Sequence, residues 1–151
     1  MDVTAALQSV LLLDRYPNTE IDVRIDIWQA DGNEKAAAIN AAVLALADAH
    51  IAMRDIVVAV AAAHVNGDVL ADPTTAERPA VASSMTLATL AHDASLIAFI
   101  GTAGLMTEDV LDRLHGACAA SCKALAAATL PALRQAVEAR VALRQRREVD
   151  A

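Results

Sequence analysis

The chain has 151 residues, of which 56% are hydrophobic and only 2% aromatic, and a formal net charge of −7 at pH 7. This length fits one domain with a real core, which must be packed from small and medium aliphatic side chains. The negative charge excludes nucleic-acid binding through global attraction, so any such contact needs a local basic patch. We find no signal peptide and no uninterrupted apolar run of the ~20 residues that a membrane span needs, and we expect a soluble, intracellular protein without a membrane partner.

The N-terminal part of the chain predicts a helix, a strand and a second helix. Apolar residues at helical spacing indicate a helix over residues 3–13, which ends before Pro17. Charged and apolar residues alternate from residue 20 to residue 28, which predicts a half-buried strand. Residues 34–49 are rich in alanine and place their larger apolar side chains on one helical face.

The middle of the chain predicts a hairpin and a loop. Residues 55–65 are β-branched and apolar, which is typical of a buried strand. Asn66-Gly67 indicates a tight turn into a short return strand over residues 69–72. Two prolines and small polar residues then predict a loop over residues 73–82.

The C-terminal part predicts a second hairpin and a long helix. Its strands cover residues 84–91 and 95–100, and Thr107 followed by two acids marks the helix start. Pro131 lies inside the helical pattern and should kink or split it. Residues 148–151 are expected to fray.

This order of elements predicts an α+β domain with a mixed sheet and helices packed on it. We assign residues 1–147 to this domain and residues 148–151 to the frayed tail.

Three motifs in a fixed order resemble a known family. Residues 15–23 read as the entry into a strand, Gln29-Ala30-Asp31-Gly32 as a tight turn before a helix, and Ile51-Ala52-Met53-Arg54-Asp55 as a later turn. Together they resemble the ribonuclease PH family, which includes the core-ring subunits of the RNA exosome. Within it, the chain is most similar to the eukaryotic relative of the archaeal exosome's catalytic subunit. The resemblance implies a ribonuclease PH-like fold of the ribosomal protein S5 domain 2-like type, and only the C-terminal half of the module.

The turn also has a physical meaning of its own, because backbone N–H groups at the start of a helix favour an anion. By resemblance, the phosphate-binding remnant is formed by Gly32, Asn33, Glu34 and Lys35. Glu34 and Lys35 stand where the family has Thr and Arg. Glu34 also has a structural interpretation, in which it complements the helix dipole and pairs with a nearby lysine or arginine. The carboxylate of Glu34 would repel a phosphate bound at this turn. Lysine keeps the positive charge but cannot make the bidentate hydrogen bonds that arginine makes to phosphate oxygens.

By the same resemblance, Asp72 matches the first of two active-site aspartates and Glu77 matches a family glutamate. Arg78 stands at the second aspartate position, and Ser84 stands where many relatives have a further aspartate. Arginine can neither hold a divalent ion nor donate a proton at neutral pH. The active site that the resemblance implies therefore lacks its second aspartate, although Asp72 remains a catalytic candidate.

Other polar residues have structural interpretations. Cys118 and Cys122 are four residues apart on a helix, and neither they nor the histidines have metal-ligand spacing, so no metal site is expected. Asp31 is expected to cap the turn and the helix, and Trp28 to anchor the strand end or an interface. The arginines near the end are either a solvated helix end or an RNA-binding patch; these are Arg140, Arg144, Arg146 and Arg147.

The resemblance, with these departures, implies a non-catalytic structural subunit of the exosome ring that supports 3′→5′ RNA processing and degradation. Related ribonuclease PH-type subunits and RNA would be its partners. It would need no cofactor, and inorganic phosphate only if active, and it would lie in the nucleus, nucleolus and cytoplasm. Two alternatives stay open: a phosphate-dependent 3′→5′ exoribonuclease active with a partner subunit, and a half-module whose exposed sheet edge is not stable alone.

Overall fold

The computed structural model describes residues 3–93, 95 and 97–149. Two short 3-10 turns accompany its helices and strands, at Leu13–Arg15 and Arg78–Ala80. The elements in chain order are α1 (Val3–Val10), α2 (Glu34–Asp48), β1 (Val57–Val65), β2 (Asp68–Ala71), β3 (Val81–Leu90), β4 (Ile97–Gly104) and α3 (Glu108–Val149).

The four strands form one sheet in the order β2-β1-β3-β4. Both predicted hairpins are present. Asn66 and Gly67 have φ of 51° and 95°, the positive values that a tight hairpin turn of this kind requires. The α+β class is confirmed. The sequence predicts a mixed sheet, whereas every strand pair in the described part of the chain is antiparallel.

Helices cover both faces of the sheet. Val57 and Ala59 of β1 pack against α1 and α2, while Val58 and Ala62 pack against α3. Because β1 is buried on both faces, its sequence is a continuous apolar run without alternation. The side chain of Asn40 bonds both the N–H and the C=O of Ala59, at 2.7 and 2.8 Å, and so fixes α2 on the sheet.

The predicted strand over residues 20–28 is not formed. Ile21 and Val23 are half-buried against the α1–α2 core, but Ile25 and Ile27 are 39% and 53% exposed. Among the described residues, no backbone group of this segment bonds another backbone group. Alternation specifies which side of a segment faces the core, whereas a strand also needs a neighbouring segment to accept its hydrogen bonds.

Helix α3 is continuous through Pro131, so the predicted split is wrong. The proline removes one backbone hydrogen bond at an exposed position, and strong helix formers continue on both sides. The helix reaches Val149, so the first two residues of the predicted frayed tail are helical. Residues 150–151 lie outside the described residues.

The sheet-facing side of α3 explains its apolar sequence. Leu114, Cys118 and Cys122 are fully buried, four residues apart, and the cysteines are free. Burial raises the pKa of Cys118 to about 11 and also raises the pKa of Cys122, which keeps both thiols protonated and unreactive.

Judged by length and composition alone, α3 is long and apolar enough from Glu108 to Arg140 to span a membrane. This differs from the expectation above, which rests on the absence of a long uninterrupted apolar run in the sequence. Lys123 interrupts the apolar run, which is why a search for unbroken runs misses it.

Candidate active-site cleft

The cleft forms where the turn before α2 meets the loop after β2. Gly32 has a φ of +121°, and a Cβ on it would lie 2.3 Å from the carbonyl oxygen of Pro73, so only glycine fits. The N–H of Thr75 donates to the carbonyl oxygen of Asp31 at 3.0 Å and to its carboxylate at 3.1 Å. Asp31 therefore caps the loop. The predicted cap on the helix is wrong, because the N-cap residue is Asn33, which makes no side-chain cap bond.

The structure brings Asp72 to this turn, as the resemblance implies. Its φ of 57° is left-handed, and its N–H donates to the carbonyl of Ala61 at 2.9 Å. The side-chain amide of Asn33 donates to the exposed Asp72 carboxylate. An exposed carboxylate is thus placed beside the turn, but one of its oxygens already accepts a hydrogen bond from the protein.

The two departures from the family pattern contact each other. Arg78 Nη2 lies 3.8 Å from Glu34 Oε2 and 3.5 Å from the carbonyl oxygen of Gly32. The N–H of Gly32 donates to Glu34 Oε1 at 3.3 Å. A carboxylate of the chain itself therefore receives the backbone N–H and the cation that a helix start would offer to an external anion.

Glu77 is used by its own loop. Its carboxylate accepts hydrogen bonds from the N–H and the hydroxyl of Thr74, at 2.8 and 2.9 Å. These bonds lower the pKa of Glu77 below its ordinary value because they favour the charged form. A carboxylate held ionised in this way is a poor proton donor.

The cleft itself has a volume of about 450 Å³ and lies between this turn and the sheet, where residues of β1, β3 and β4 line it. Lys35, Arg78 and Ser84 are among its lining residues. Lys35 is exposed and makes no ion pair with any residue that the structure describes. A single cation thus remains available to an anion in the cleft, since Arg78 is paired with Glu34.

The remaining candidates lie elsewhere. Arg140 pairs with Asp48 at the far end of α2, while the side chains of Arg144, Arg146 and Arg147 lie outside what the structure describes. No three or more His, Cys, Asp or Glu residues come together as metal ligands in the described ranges.

Asp55 caps a turn. Its carboxylate accepts hydrogen bonds from the N–H groups of Ile56 and His92, at 2.7 and 3.1 Å, and lies 2.6 Å from His92 Nδ1. Asp55 thereby joins the segment before β1 to the turn after β3.

Glu34 pairs with an arginine, as its structural interpretation predicts, but the sequence does not identify Arg78 as the partner, and the contact of Asn33 with Asp72 is not predicted. The opposite charges of Glu34 and Arg78, at two positions that a single cleft implies, could have indicated this partner. The amide–carboxylate contact has no comparable sequence pattern.

Residues 3–52 match the profile of the 3′ exoribonuclease family, domain 1, and residues 55–115 match that of domain 2. These ranges together cover more than half of the chain. The chain belongs to the ribonuclease PH family. The predicted family is thus confirmed.

Curated relatives are archaeal exosome proteins. The chain is 47% identical over 70 residues to the exosome complex component Rrp41 of Pyrococcus horikoshii, which covers 46% of this chain and 28% of that protein. It is 52% identical over 67 residues to the Rrp41 of Pyrobaculum arsenaticum, covering 44% and 27%. The chain therefore spans less than a third of the length of these relatives.

Solved structures agree on the fold. Rice (Oryza sativa) Rrp46 matches with a TM-score of 0.74 and 26% identity, over 85% of this chain and 62% of that chain. A subunit of the Archaeoglobus fulgidus exosome, solved with RNA bound to the active site, matches with a TM-score of 0.54 and 23% identity, over 64% and 43%. The ribonuclease PH-like fold is confirmed.

Proposed function

We propose that this chain is a non-catalytic structural subunit of an exosome-type ring that supports 3′→5′ RNA processing and degradation, including rRNA maturation and mRNA turnover. Its partners would be related ribonuclease PH-type subunits, and the assembled ring would handle RNA. Localisation to the nucleus, nucleolus and cytoplasm is part of this proposal.

The observation that supports the absence of catalysis is the ion pair between Glu34 and Arg78. Phosphorolysis needs a cradle for phosphate and an acid or metal near the leaving oxygen. Here Glu34 occupies the cradle with a negative charge, and Arg78 replaces a carboxylate with a cation. Because the two residues pair with each other, Lys35 is the one cation among the described lining residues left to bind an anion in the cleft, and the second acid of the family pattern is missing.

The structural role is supported by the relatives, whose names and titles describe exosome components. The chain spans only part of their length, so its own assembly into a ring is an inference from shared family and fold. An exposed sheet edge and exposed apolar side chains such as Trp28 and Leu105, 96% and 97% exposed, are typical of a surface that associates with other chains.

The alternative is a phosphate-dependent 3′→5′ exoribonuclease that is active with a partner subunit. One observation favours it: Asp72 and Lys35 are both exposed beside the cleft, with the lysine charge unpaired among the described residues. A partner that supplied further cations could complete a phosphate site around these two groups. Inorganic phosphate would then be the co-substrate.

The test is to mix the chain with candidate ribonuclease PH-type ring subunits. Native mass spectrometry would measure association, and release of nucleoside diphosphates from single-stranded RNA would measure phosphorolysis. We expect a stable complex and no phosphate-dependent release that is attributable to this chain. Failure to associate with any ring subunit would contradict the structural role.

A matched pair of variants separates the two functions. Asp72→Ala removes the candidate catalytic carboxylate, and Asp68→Ala removes an exposed carboxylate at the start of β2. If the complex releases diphosphates at a rate that Asp72→Ala abolishes and Asp68→Ala leaves unchanged, the chain is an enzyme. Equal rates in both variants and in the wild type would assign any activity to the partner.

A further inference from the structure

The tip of the β1–β2 hairpin holds an asparagine directly before a glycine. Val65 pairs with Asp68 across the hairpin, so Asn66 and Gly67 alone form the turn. Both are exposed, and both have positive φ, at 51° and 95°. A Cβ placed on Gly67 would meet no atom within 4 Å, so the space around its backbone is open. The side-chain amide of Asn66 is thus followed by a backbone nitrogen that no side chain shields.

An asparagine and a glycine in this order can react with each other without an enzyme. The backbone nitrogen of Gly67 attacks Cγ of Asn66 and loses its proton, a five-membered succinimide ring closes, and the side-chain nitrogen leaves as ammonia. Water then opens the ring at either carbonyl. One opening gives aspartate, and the other gives isoaspartate, whose main chain is longer by one methylene. At neutral pH each product carries one more negative charge than asparagine.

The other three asparagines of the chain lack this combination. Two of them use their side-chain amides in hydrogen bonds within the chain. Asn18 is exposed and has a φ of 57°, like Asn66, but Thr19 follows it. A β-branched side chain crowds the backbone nitrogen, whereas glycine leaves it free. Asn18 is therefore an internal control for Asn66.

The folded turn slows this reaction. A two-residue hairpin turn fixes φ and ψ of both turn residues, whereas ring closure needs the backbone of Asn66 to rotate out of that conformation. Arg113 of α3 adds a further contact, because its Nη2 donates to the carbonyl oxygen of Gly67 at 2.9 Å. Since this bond is exposed to solvent, it limits the opening of the turn without preventing it.

The same turn sets the register of β2. This strand pairs with β1 over Asp68–Ala71, and Asp72 follows directly and contacts Asn33 beside the cleft. The aspartate product keeps the length of the main chain and therefore this register. The isoaspartate product adds a methylene to a turn whose geometry admits two residues, so β2 shifts or frays, and Asp72 moves away from Asn33.

We propose that Asn66-Gly67 is a site of spontaneous covalent modification, at which deamidation and isoaspartate formation proceed in the folded protein at a rate that Arg113 sets. The isoaspartate product loosens β2 and so carries the change from the tip of the hairpin to Asp72. This proposal goes beyond the proposed function and does not depend on ring membership, since it rests on the hairpin and its contact with α3.

The first test follows the whole folded chain over time at neutral pH and physiological temperature. Peptide mass mapping measures the fractions of Asn66 and Asn18 that are converted to the acid, and electron-transfer fragmentation separates aspartate from isoaspartate. We expect Asn66 to convert at least about tenfold faster than Asn18, with isoaspartate among the products. Equal rates at the two asparagines, or aspartate as the sole product, would overturn the proposal.

Arg113→Gln tests the contact that holds the turn. Its matched control is Lys123→Gln, which removes an exposed positive charge elsewhere on α3. Loss of the bond to Gly67 should raise the rate at Asn66 by at least about threefold, while Lys123→Gln leaves that rate unchanged. Equal rates in the two variants would overturn the role of Arg113. Faster conversion of Asn18 as well would show that the whole chain opens, which also contradicts a local effect.

The effect on the cleft is measured at Asp72. Its carboxyl chemical shift in NMR spectra should keep the wild-type value in freshly purified Asn66→Asp, which has the added charge but an unchanged main chain. In aged wild-type protein, the fraction with isoaspartate at position 66 should give a second, shifted Asp72 signal. A single unshifted signal in protein that contains isoaspartate there would overturn the link between the hairpin tip and the cleft.

Discussion

The cleft and the segment over residues 20–28, here called the open segment, differ in how their polar groups are satisfied. In the cleft, Glu34 pairs with Arg78, Asn33 contacts Asp72, and Glu77 accepts two bonds from Thr74. Along the open segment, the backbone is unpaired, and Trp28 is almost fully exposed. The acids of the cleft are satisfied within the chain and Lys35 alone among the described lining residues stays available, whereas the open segment makes no backbone hydrogen bond to any described residue.

This difference bears on function. A catalytic site keeps groups unsatisfied or strained so that they can act on a substrate. Here the residues at the family's catalytic positions contact one another, whereas the segment over residues 20–28 makes no backbone hydrogen bond to the described residues. The cleft contacts support the proposed non-catalytic role.

The largest effect is expected where the cleft is closed by backbone contact. Gly32→Ala should lower the free energy of unfolding by roughly 3 kcal/mol, because the new Cβ would clash with the Pro73 carbonyl at an unfavourable φ. Gly67→Ala is the matched control: its φ is also positive, at +95°, but nothing lies within 4 Å, and it should cost about 1 kcal/mol. Urea unfolding measures both, and equal losses would contradict a tightly closed cleft.

A smaller difference is expected between the coupling free energies of the ion pairs in the two regions. Double-mutant cycles should give a coupling of up to about 1 kcal/mol for Glu34–Arg78 and close to zero for Asp22–Arg24. The reason is solvent screening: the side chain of Glu34 is 27% exposed, while those of Arg24 and Asp22 are 86% and 64% exposed. A stronger coupling in the open segment would reverse the comparison.

The loop of the cleft should respond to acid. Because the folded-state pKa of Glu77 lies below its ordinary value of 4.5, its bonds to Thr74 stabilise the loop above that pH. That contribution is lost as the pH falls through the lowered pKa. Carboxyl chemical shifts from NMR should place the midpoint below 4.5, and Thr74→Ala should move it upward. A wild-type midpoint at or above 4.5 would show that the loop bonds are absent in solution.

The smallest effect is expected at Trp28. Trp28→Ala should change the stability of the isolated chain by less than about 0.5 kcal/mol, since the side chain is 96% exposed. Leu114→Ala, in the fully buried core, should cost about 2–5 kcal/mol in the same thermal or urea unfolding. A substantial loss with Trp28→Ala would mean that the open segment is already covered.

Much of the fold can be predicted from local patterns. The β1–β2 hairpin follows from an apolar run and Asn66-Gly67, and α2 follows from helical periodicity. The open segment shows the limit, since an equally clear pattern indicates its inner face but cannot supply a pairing partner. Pro131 shows a second limit of local patterns, because a helix with strong helix-forming residues on both sides of a proline tolerates the loss of one hydrogen bond.

The cleft is predicted only through the family resemblance, which correctly groups Asp72 with the turn at Gly32. Comparing each residue with the family identifies Glu34 and Arg78 as departures but says nothing of their contact. That contact depends on the loop after β2 folding back on the turn, a long-range approach fixed by Gly32 and Thr75.

The most direct measurement is phosphate-dependent release of nucleoside diphosphates from single-stranded RNA, with this chain alone and then in complex with ribonuclease PH-type subunits. A structural subunit predicts a stable complex in which Asp72→Ala changes no rate. Release that depends on phosphate and is lost with Asp72→Ala, but not with Asp68→Ala, would contradict it and make this chain a working phosphorolytic enzyme.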